Sequence, residues 1–304
     1  MEQAITKEIL QKVRRVEVRT RRMVDDTLAG SYHSVFKGQG MNFDEVREYV
    51  PGDEIRTIDW NVTARTGVPH VKKFTEEREL TIMLMIDVSG SGGFGSRDQS
   101  KREIMAELGS VLAFSAVRNN DKVGLILFSD FVELFIPPNK GRKHILRVIR
   151  EILFFQPKKR GTDITEALNF VNRVAKRKCV TFLLSDFCLP GDFDDTLAAL
   201  QPKLLVTGRR HDLITVSVTD PRERELPDVG RITLEDAETG EQLVLNTADP
   251  GTRQAYRNLA LERAERFAHT VRSTGLDLLE LSTDRPYIGP LTGFFKARER
   301  RMGR

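Results

Sequence analysis

From residue 81 onward, short apolar runs alternate with stretches in which apolar residues recur at helical spacing. The runs indicate buried strands, and the stretches indicate helices that cover a sheet. The predicted strands are residues 81–87, 122–128, 131–136, 179–185, 213–218 and 276–281. The predicted helices are residues 97–118, 142–153, one starting near 162, 192–200 and 251–273. This order predicts an α/β fold with a mainly parallel central sheet flanked by helices, and with 131–136 as an antiparallel edge strand.

The alternation breaks after residue 220. Residues 231–234 and 242–245 flank a polar segment, 236–240, that ends in glycine. Two short apolar runs around such a turn are typical of a β-hairpin. We therefore predict a small β-hairpin insertion at residues 221–250.

Residues 1–78 have a different pattern. A basic helix is predicted at about residues 4–28, followed by a β-rich arm. Pro51-Gly52 fits the centre of a type II turn, because glycine adopts the positive φ that this turn requires. The arm is expected to pack on the main domain, with Trp60 as its anchor.

These breaks give the predicted domain organisation. Residues 79–220 and 251–283 form the α/β domain, and residues 284–304 form a basic C-terminal tail. Phe294 and Phe295 are expected to pack back onto the body of the protein.

Charge is dense but nearly balanced, with 48 basic and 44 acidic residues and a net charge of +4. The basic residues cluster at both ends, in residues 12–22 and 296–304. Such clusters bind nucleic acid or anionic lipid in some proteins. Because no aromatic residues are interleaved for base stacking, solvated helix faces are the favoured interpretation, and nucleic acid is not an expected partner.

The two cysteines, Cys179 and Cys188, flank a predicted strand. Nine extended residues span about 30 Å, far beyond the roughly 7 Å between Cα atoms that a disulfide allows. A reduced, cytoplasmic protein is the expectation. We find neither an apolar run of about 18 residues nor a signal-peptide core, so no transmembrane segment is expected.

The segment Asp87-Val88-Ser89-Gly90-Ser91 directly follows the first predicted strand. It offers one carboxylate and two hydroxyls, with glycine to tighten the turn. Residues 87, 89 and 91 can converge on one side of such a segment. Oxygen ligands of this kind suit a hard divalent cation such as Mg²⁺.

Two other segments are expected at the same edge of the sheet, because ligands of open α/β sheets bind beyond the carboxyl ends of the strands. They are Gly161-Thr162-Asp163 and Ser185-Asp186. None of these segments contains histidine, which disfavours a zinc-type site. Plainer interpretations exist, since Asp163 and Glu166 have capping-box spacing and the serines can stabilise a tight turn. The predicted metal site consists of Asp87, Ser89, Ser91, Thr162 and Asp186.

This set resembles the metal-ion-dependent adhesion site of von Willebrand factor A domains, and segment 119–129 resembles the region after their first helix. Segment 49–60 begins Tyr49-Val50-Pro51-Gly52-Asp53 and ends Ile58-Asp59-Trp60. It resembles the hallmark of the domain-of-unknown-function 58 family, a bacterial branch of these proteins. The resemblance covers about residues 30–295 and implies a Rossmann-like von Willebrand factor A fold.

The resemblance also implies roles for the site residues. Ser89, Ser91 and Thr162 would coordinate the cation directly, while Asp87 and Asp186 would act largely through water. Mg²⁺ is the expected ion, with Mn²⁺ and Ca²⁺ as alternatives. Members of the family often accompany MoxR-type AAA+ ATPases, so the expected function is an adaptor or chaperone-like partner. The cation would bind an acidic residue of that partner, and other von Willebrand factor A proteins are further candidate partners.

A metal-dependent phosphatase or nuclease is the main alternative, because Mg²⁺ beside carboxylates also suits phosphoryl transfer. A phosphoaspartyl enzyme needs a second aspartate two residues after Asp87, where Ser89 stands. The sequence also lacks the phosphate-binding loop that ATP hydrolysis requires. Catalysis is therefore not expected. The third hypothesis, nucleic-acid binding through the basic ends, predicts binding that weakens steeply with salt.

Overall fold

A computed structural model describes residues 42–75 and 79–302, so the predicted helix at 4–28 lies outside the described residues. The described residues form two compact units, one ending at Leu80 and the other beginning at Thr81. Among the residues that the structure describes, no helix combines the length and the apolar character needed to cross a bilayer.

The larger unit is built on a six-stranded sheet with the strand order β10-β7-β6-β3-β4-β5. Its strands are β3 (Thr81–Asp87), β4 (Lys122–Phe128), β5 (Val132–Asn139), β6 (Val180–Ser185), β7 (Asp212–Thr219) and β10 (Asp277–Ser282). All neighbouring pairs are parallel except β4 and β5, which pair antiparallel at one edge. The predicted α/β class is therefore confirmed, including the antiparallel edge strand.

Helices connect these strands. They are α2 (Lys101–Arg118), α3 (Arg142–Phe154), α4 (Ile164–Val174), α5 (Phe193–Arg210), α6 (Pro221–Arg224), α7 (Pro250–Ser273) and α8 (Ile288–Met302). The buried strand β3 lies in the middle of the sheet, where it pairs with β4 on one side and β6 on the other. The carboxyl ends of β3 and β6 therefore open onto the same edge.

Two predicted helices have wrong bounds. The helix predicted at 97–118 begins four residues later, because Ser100 and Glu103 form a capping box at its N-terminus. The helix predicted at 192–200 continues to Arg210 and contains Pro202. Leu204 and Thr207 are both buried, so packing of this face continues the helix past the proline.

The predicted hairpin insertion is confirmed as a separate two-stranded antiparallel sheet, formed by β8 (Arg231–Glu235) and β9 (Gln242–Asn246). The short helix α6 precedes it and was not predicted. Cys179 and Cys188 are both free thiols, as expected.

The smaller unit contains the antiparallel strands β1 (Asn42–Glu48) and β2 (His70–Thr75), with the short helix α1 (Trp60–Thr66) between them. The predicted turn is present: the Asp53 N–H donates to the Val50 carbonyl at 3.0 Å, and Gly52 has φ of +113°. Trp60 is 67% exposed, and its role as an anchor stays a prediction.

The segment predicted as a basic tail contains helix α8, which is held to the sheet by its own side chains. Phe295 is buried, and the guanidinium of Arg298 contacts the carboxylates of Asp212 and Asp277. These two aspartates are the first residues of β7 and β10. The tail therefore packs onto the amino-terminal edge of the sheet, opposite the predicted metal site.

Replacing Arg298 with methionine should lower the free energy of unfolding by about 3 kcal/mol, because it leaves two partly buried carboxylates without this partner. Urea denaturation measures the change. The control is Arg300→Met on the same helix, where the side chain is exposed. It should change the unfolding free energy by no more than about 0.5 kcal/mol. Equal stability of the two variants would contradict the proposed anchoring.

Candidate functional site

Asp87 is the last residue of β3 and is only 1% exposed. One oxygen of its carboxylate accepts a hydrogen bond from the Ser89 backbone N–H at 2.9 Å. The other accepts one from the Ser185 hydroxyl at 2.6 Å, at the end of β6. Asp87 therefore ties its own loop to the neighbouring strand.

Ser89 and Ser91 are both buried, and Ser91 lies in the 3₁₀ turn Gly90–Gly93. Their hydroxyl oxygens are 3.1 Å apart. An octahedral ion with ligands at 2.0–2.1 Å places adjacent ligand oxygens about 2.9 Å apart. The separation of the two hydroxyls therefore fits two adjacent ligands of such an ion.

The loop that carries Thr162 adjoins the loop that carries the serines. The Gly90 N–H donates to the Arg160 carbonyl at 2.8 Å, and Thr162 itself is buried. The Thr162 hydroxyl donates to the carboxylate of Glu238, at the turn of the β8–β9 hairpin, at 2.6 Å. Asp163 accepts the Glu166 N–H at the start of α4, which confirms the plainer capping interpretation for that residue.

Asp186 follows β6 and belongs to the same cluster, but its carboxylate is already paired. One oxygen lies 2.6 Å from the ammonium group of Lys101, and the other accepts the Cys188 N–H at 3.1 Å. Lys101 is 1% exposed and also contacts the carboxylate of Glu223. If Asp186 acts at a metal as predicted, it must do so while its carboxylate is paired with Lys101.

Charges of both signs meet at this edge. The charge of Asp186 acts on Asp87, Lys101, Glu223 and Glu238, and that of Asp87 acts on Arg102. When all are ionised, four carboxylates face two cationic side chains. A bound cation would reduce this imbalance.

The pKa shifts follow from burial and from this crowding. Burial, and then the charge of Asp186, raise the pKa of Asp87 to about 7. Burial is also the main cause that raises the pKa of Glu223 and of Glu238. For Lys101, burial acts in the opposite direction, but the Asp186 and Glu223 carboxylates outweigh it and raise its pKa to about 12.

Sequence reasoning missed three residues of this cluster: Lys101, Glu223 and Glu238. The capping box at Ser100 and Glu103 gave a usable signal for Lys101, because it makes Lys101 the first residue of a helix that follows the serine loop. Glu223 and Glu238 lie more than a hundred residues after Ser89 in the chain. No local pattern connects them to it.

The donor set fits a hard divalent cation held mainly by hydroxyls. Within residues 42–75 and 79–302, no group of three or more His, Cys, Asp or Glu side chains is arranged to hold a metal ion. The buried hydroxyls of Ser89 and Ser91 instead lie close together in the loop after Asp87, and the buried Thr162 lies in the adjoining loop. Neutral oxygen ligands of this type suit Mg²⁺, Mn²⁺ or Ca²⁺ rather than zinc.

Solved structures to which this chain is similar include a von Willebrand factor A domain. The conserved hypothetical protein BatB from Bacteroides thetaiotaomicron has a TM-score of 0.43 and 17% identity, covering 73% of this chain and 99% of that one. The SpRpn10 VWA domain has a TM-score of 0.40 and 13% identity, covering 70% and 94%. The expected architecture, a mainly parallel central sheet flanked by helices, is the one that this chain has.

Sequence relatives match this chain over different lengths. The uncharacterized protein Rv1480 of Mycobacterium tuberculosis is 30% identical over 290 residues, which are 95% of this chain and 89% of the relative. The uncharacterized protein YeaD of Bacillus subtilis is 27% identical over 107 residues, which are 35% and 25%. The family model described as protein of unknown function DUF58 matches residues 45–266. On the extent of that match, this chain belongs to the DUF58 family.

Proposed function

We propose that this protein is a metal-ion-dependent protein–protein interaction module that binds an acidic side chain of its partner through a divalent cation. The observation that carries this proposal is the pair of buried hydroxyls of Ser89 and Ser91, 3.1 Å apart, beside the buried carboxylate of Asp87. Thr162, whose loop adjoins theirs, would supply a third hydroxyl.

The side chains of the site divide into two roles. Ser89, Ser91 and Thr162 would hold the cation directly, because their hydroxyls are buried at the carboxyl edge of the sheet. Asp87 would act through water, since both of its oxygens already accept hydrogen bonds within the protein. A cation held largely by neutral oxygens keeps most of its positive charge, and that charge would attract a carboxylate of the partner.

The proposed partner is a MoxR-type AAA+ ATPase, for which this chain would serve as an adaptor or chaperone-like component. The choice rests on the resemblance to the DUF58 family, which implies a partner of this kind. A non-enzymatic role is favoured because two of the four carboxylates at this edge, those of Asp186 and Glu223, contact the ammonium group of Lys101. A two-metal hydrolase needs more free carboxylates than the two that remain.

Mg²⁺ or Mn²⁺ should raise the melting temperature after chelator treatment, because a ligand that binds only the folded state stabilises it. At a hundred times the Kd, the gain is about 2.7 kcal/mol, or roughly 5–10 °C for a domain of this size. Ser89→Ala and Ser91→Ala should abolish the shift measured by differential scanning fluorimetry. The control is Ser273→Ala, at an exposed serine at the end of α7, which should shift like the wild type. An unchanged melting temperature of the wild type in millimolar metal would contradict the metal site.

Binding to a MoxR-type AAA+ ATPase from the same organism should be lost in EDTA and restored by Mg²⁺, because the cation would bridge the two proteins. Biolayer interferometry with the purified ATPase measures this. Ser89→Ala and Ser91→Ala should each weaken binding at least about tenfold, the effect of losing roughly 1.4 kcal/mol. Ser273→Ala should bind normally. Binding that survives EDTA and both variants would refute the bridging role.

A further inference from the structure

The turn of the β8–β9 hairpin has a fixed shape. The Asp236 carboxylate accepts the backbone N–H groups of Glu238 at 2.8 Å and Thr239 at 2.9 Å. Gly240 closes the turn with φ of +77°, a conformation that favours glycine. The backbone that carries the Glu238 side chain is therefore held in one conformation.

This turn lies directly against the loop that carries the two serines. A Cβ atom added to Gly90 would lie 2.5 Å from the Ala237 carbonyl oxygen, so only glycine permits this approach without a backbone shift. Beside this contact, the Glu238 carboxylate accepts the Thr162 hydroxyl at 2.6 Å. Of residues 236–240, Glu238 alone is partly buried, while the other four are exposed.

The position is electrostatically unfavourable for another carboxylate. Glu238 lies near enough to Asp186 for the two negative charges to repel. The hydrogen bond from Thr162 offsets part of this cost. A cation at the hydroxyls of Ser89, Ser91 and Thr162 would convert the repulsion into attraction, which gives the carboxylate a physical reason to lie there.

We propose that Glu238 is the site's own acidic ligand, and that a partner carboxylate must displace it. This inference rests on the proposed function, because it assigns the regulation of the same metal site. Glu238 takes the position that the partner's acid would otherwise occupy. The hairpin thus competes with the partner's carboxylate for the cation.

The construction of the hairpin suits this role. Its base is held by the buried Thr247, whose hydroxyl donates to the Gly230 carbonyl at 2.7 Å. The turn, by contrast, consists mostly of exposed residues. An internal ligand competes at a high effective concentration. The apparent affinity for a partner is therefore the intrinsic affinity multiplied by the fraction of molecules in which the turn is displaced. A partner therefore needs contacts beyond one carboxylate.

The test compares the full chain with E238Q and with the control E241Q, using Mn²⁺ alone as the probe. Glutamine keeps an oxygen that can accept the Thr162 hydroxyl but removes the charge. Glu241 is exposed and lies one residue beyond the turn. Circular dichroism without metal checks that all three proteins are folded. Titration followed by water-proton relaxation reports the Mn²⁺ affinity and the number of exchangeable waters on the bound ion.

We expect E238Q to bind Mn²⁺ about tenfold more weakly, the effect of losing one charged ligand, and to show more exchangeable water on the bound ion. Added acetate, as a free carboxylate, should displace that water in E238Q at concentrations that leave the wild type unchanged. E241Q should match the wild type in every measurement.

The outcomes separate the two proposals. If the wild type binds Mn²⁺ and E238Q matches it in affinity, hydration and response to acetate, then Glu238 is not a ligand and the inference is wrong, although the metal site stands. If the wild type binds no Mn²⁺, the metal site itself is wrong, and the inference falls with it.

Discussion

The carboxylate of Asp87 joins the parts of the molecule on which the candidate site depends. It lies at the end of the central strand β3, is almost fully buried and uses both oxygens within the protein. Through the Ser89 N–H it holds the loop with the two serines, and through Ser185 it holds the end of β6. A buried carboxylate is costly unless it is hydrogen-bonded, so this arrangement constrains both loops together. The loop in which the two serine hydroxyls lie 3.1 Å apart is one of the two segments held in this way.

The negative charge at the carboxyl edge of the sheet explains why Lys101 is buried there. Asp186 and Glu223 enter the same edge from two other segments, and Lys101 contacts both of them. Lys101 is the first residue of α2, which begins ten residues after Ser91, at the capping box of Ser100 and Glu103. The lysine compensates part of the negative charge without removing it. The remainder makes this edge suitable for a cation.

The hairpin adds a carboxylate to an edge that already has several. The contact depends on a glycine at position 90, since any side chain there would meet the backbone of Ala237. The same glycine also donates its N–H to the Arg160 carbonyl, in the loop that carries Thr162. Gly90 therefore belongs to the proposed metal-binding loop and also contacts the turn that carries the proposed internal ligand. A change at this residue would affect both the loop and the hairpin.

The repeating spacing of apolar residues was enough to predict most of the strands, their mainly parallel arrangement and the hairpin. It succeeds because burial on both faces makes a strand a continuous apolar run, while a covering helix keeps one apolar side. It failed for α5, where packing of Leu204 and Thr207 continues the helix past Pro202. It also did not predict helix α8 or the ion pairs of Arg298, although the packing of Phe295 onto the body was expected.

The candidate site likewise divides into residues that local sequence predicted and residues that only packing brings together. Asp87, Ser89 and Ser91 were predictable because they are neighbours in one tight loop, so local geometry brings them together. Lys101, Glu223 and Glu238 reach that loop only through folding, because contacts between distant segments depend on how helices and the hairpin pack. The chain alone thus specifies the groups of the proposed cation site, whereas long-range packing sets the charge around them and places Glu238 against Thr162.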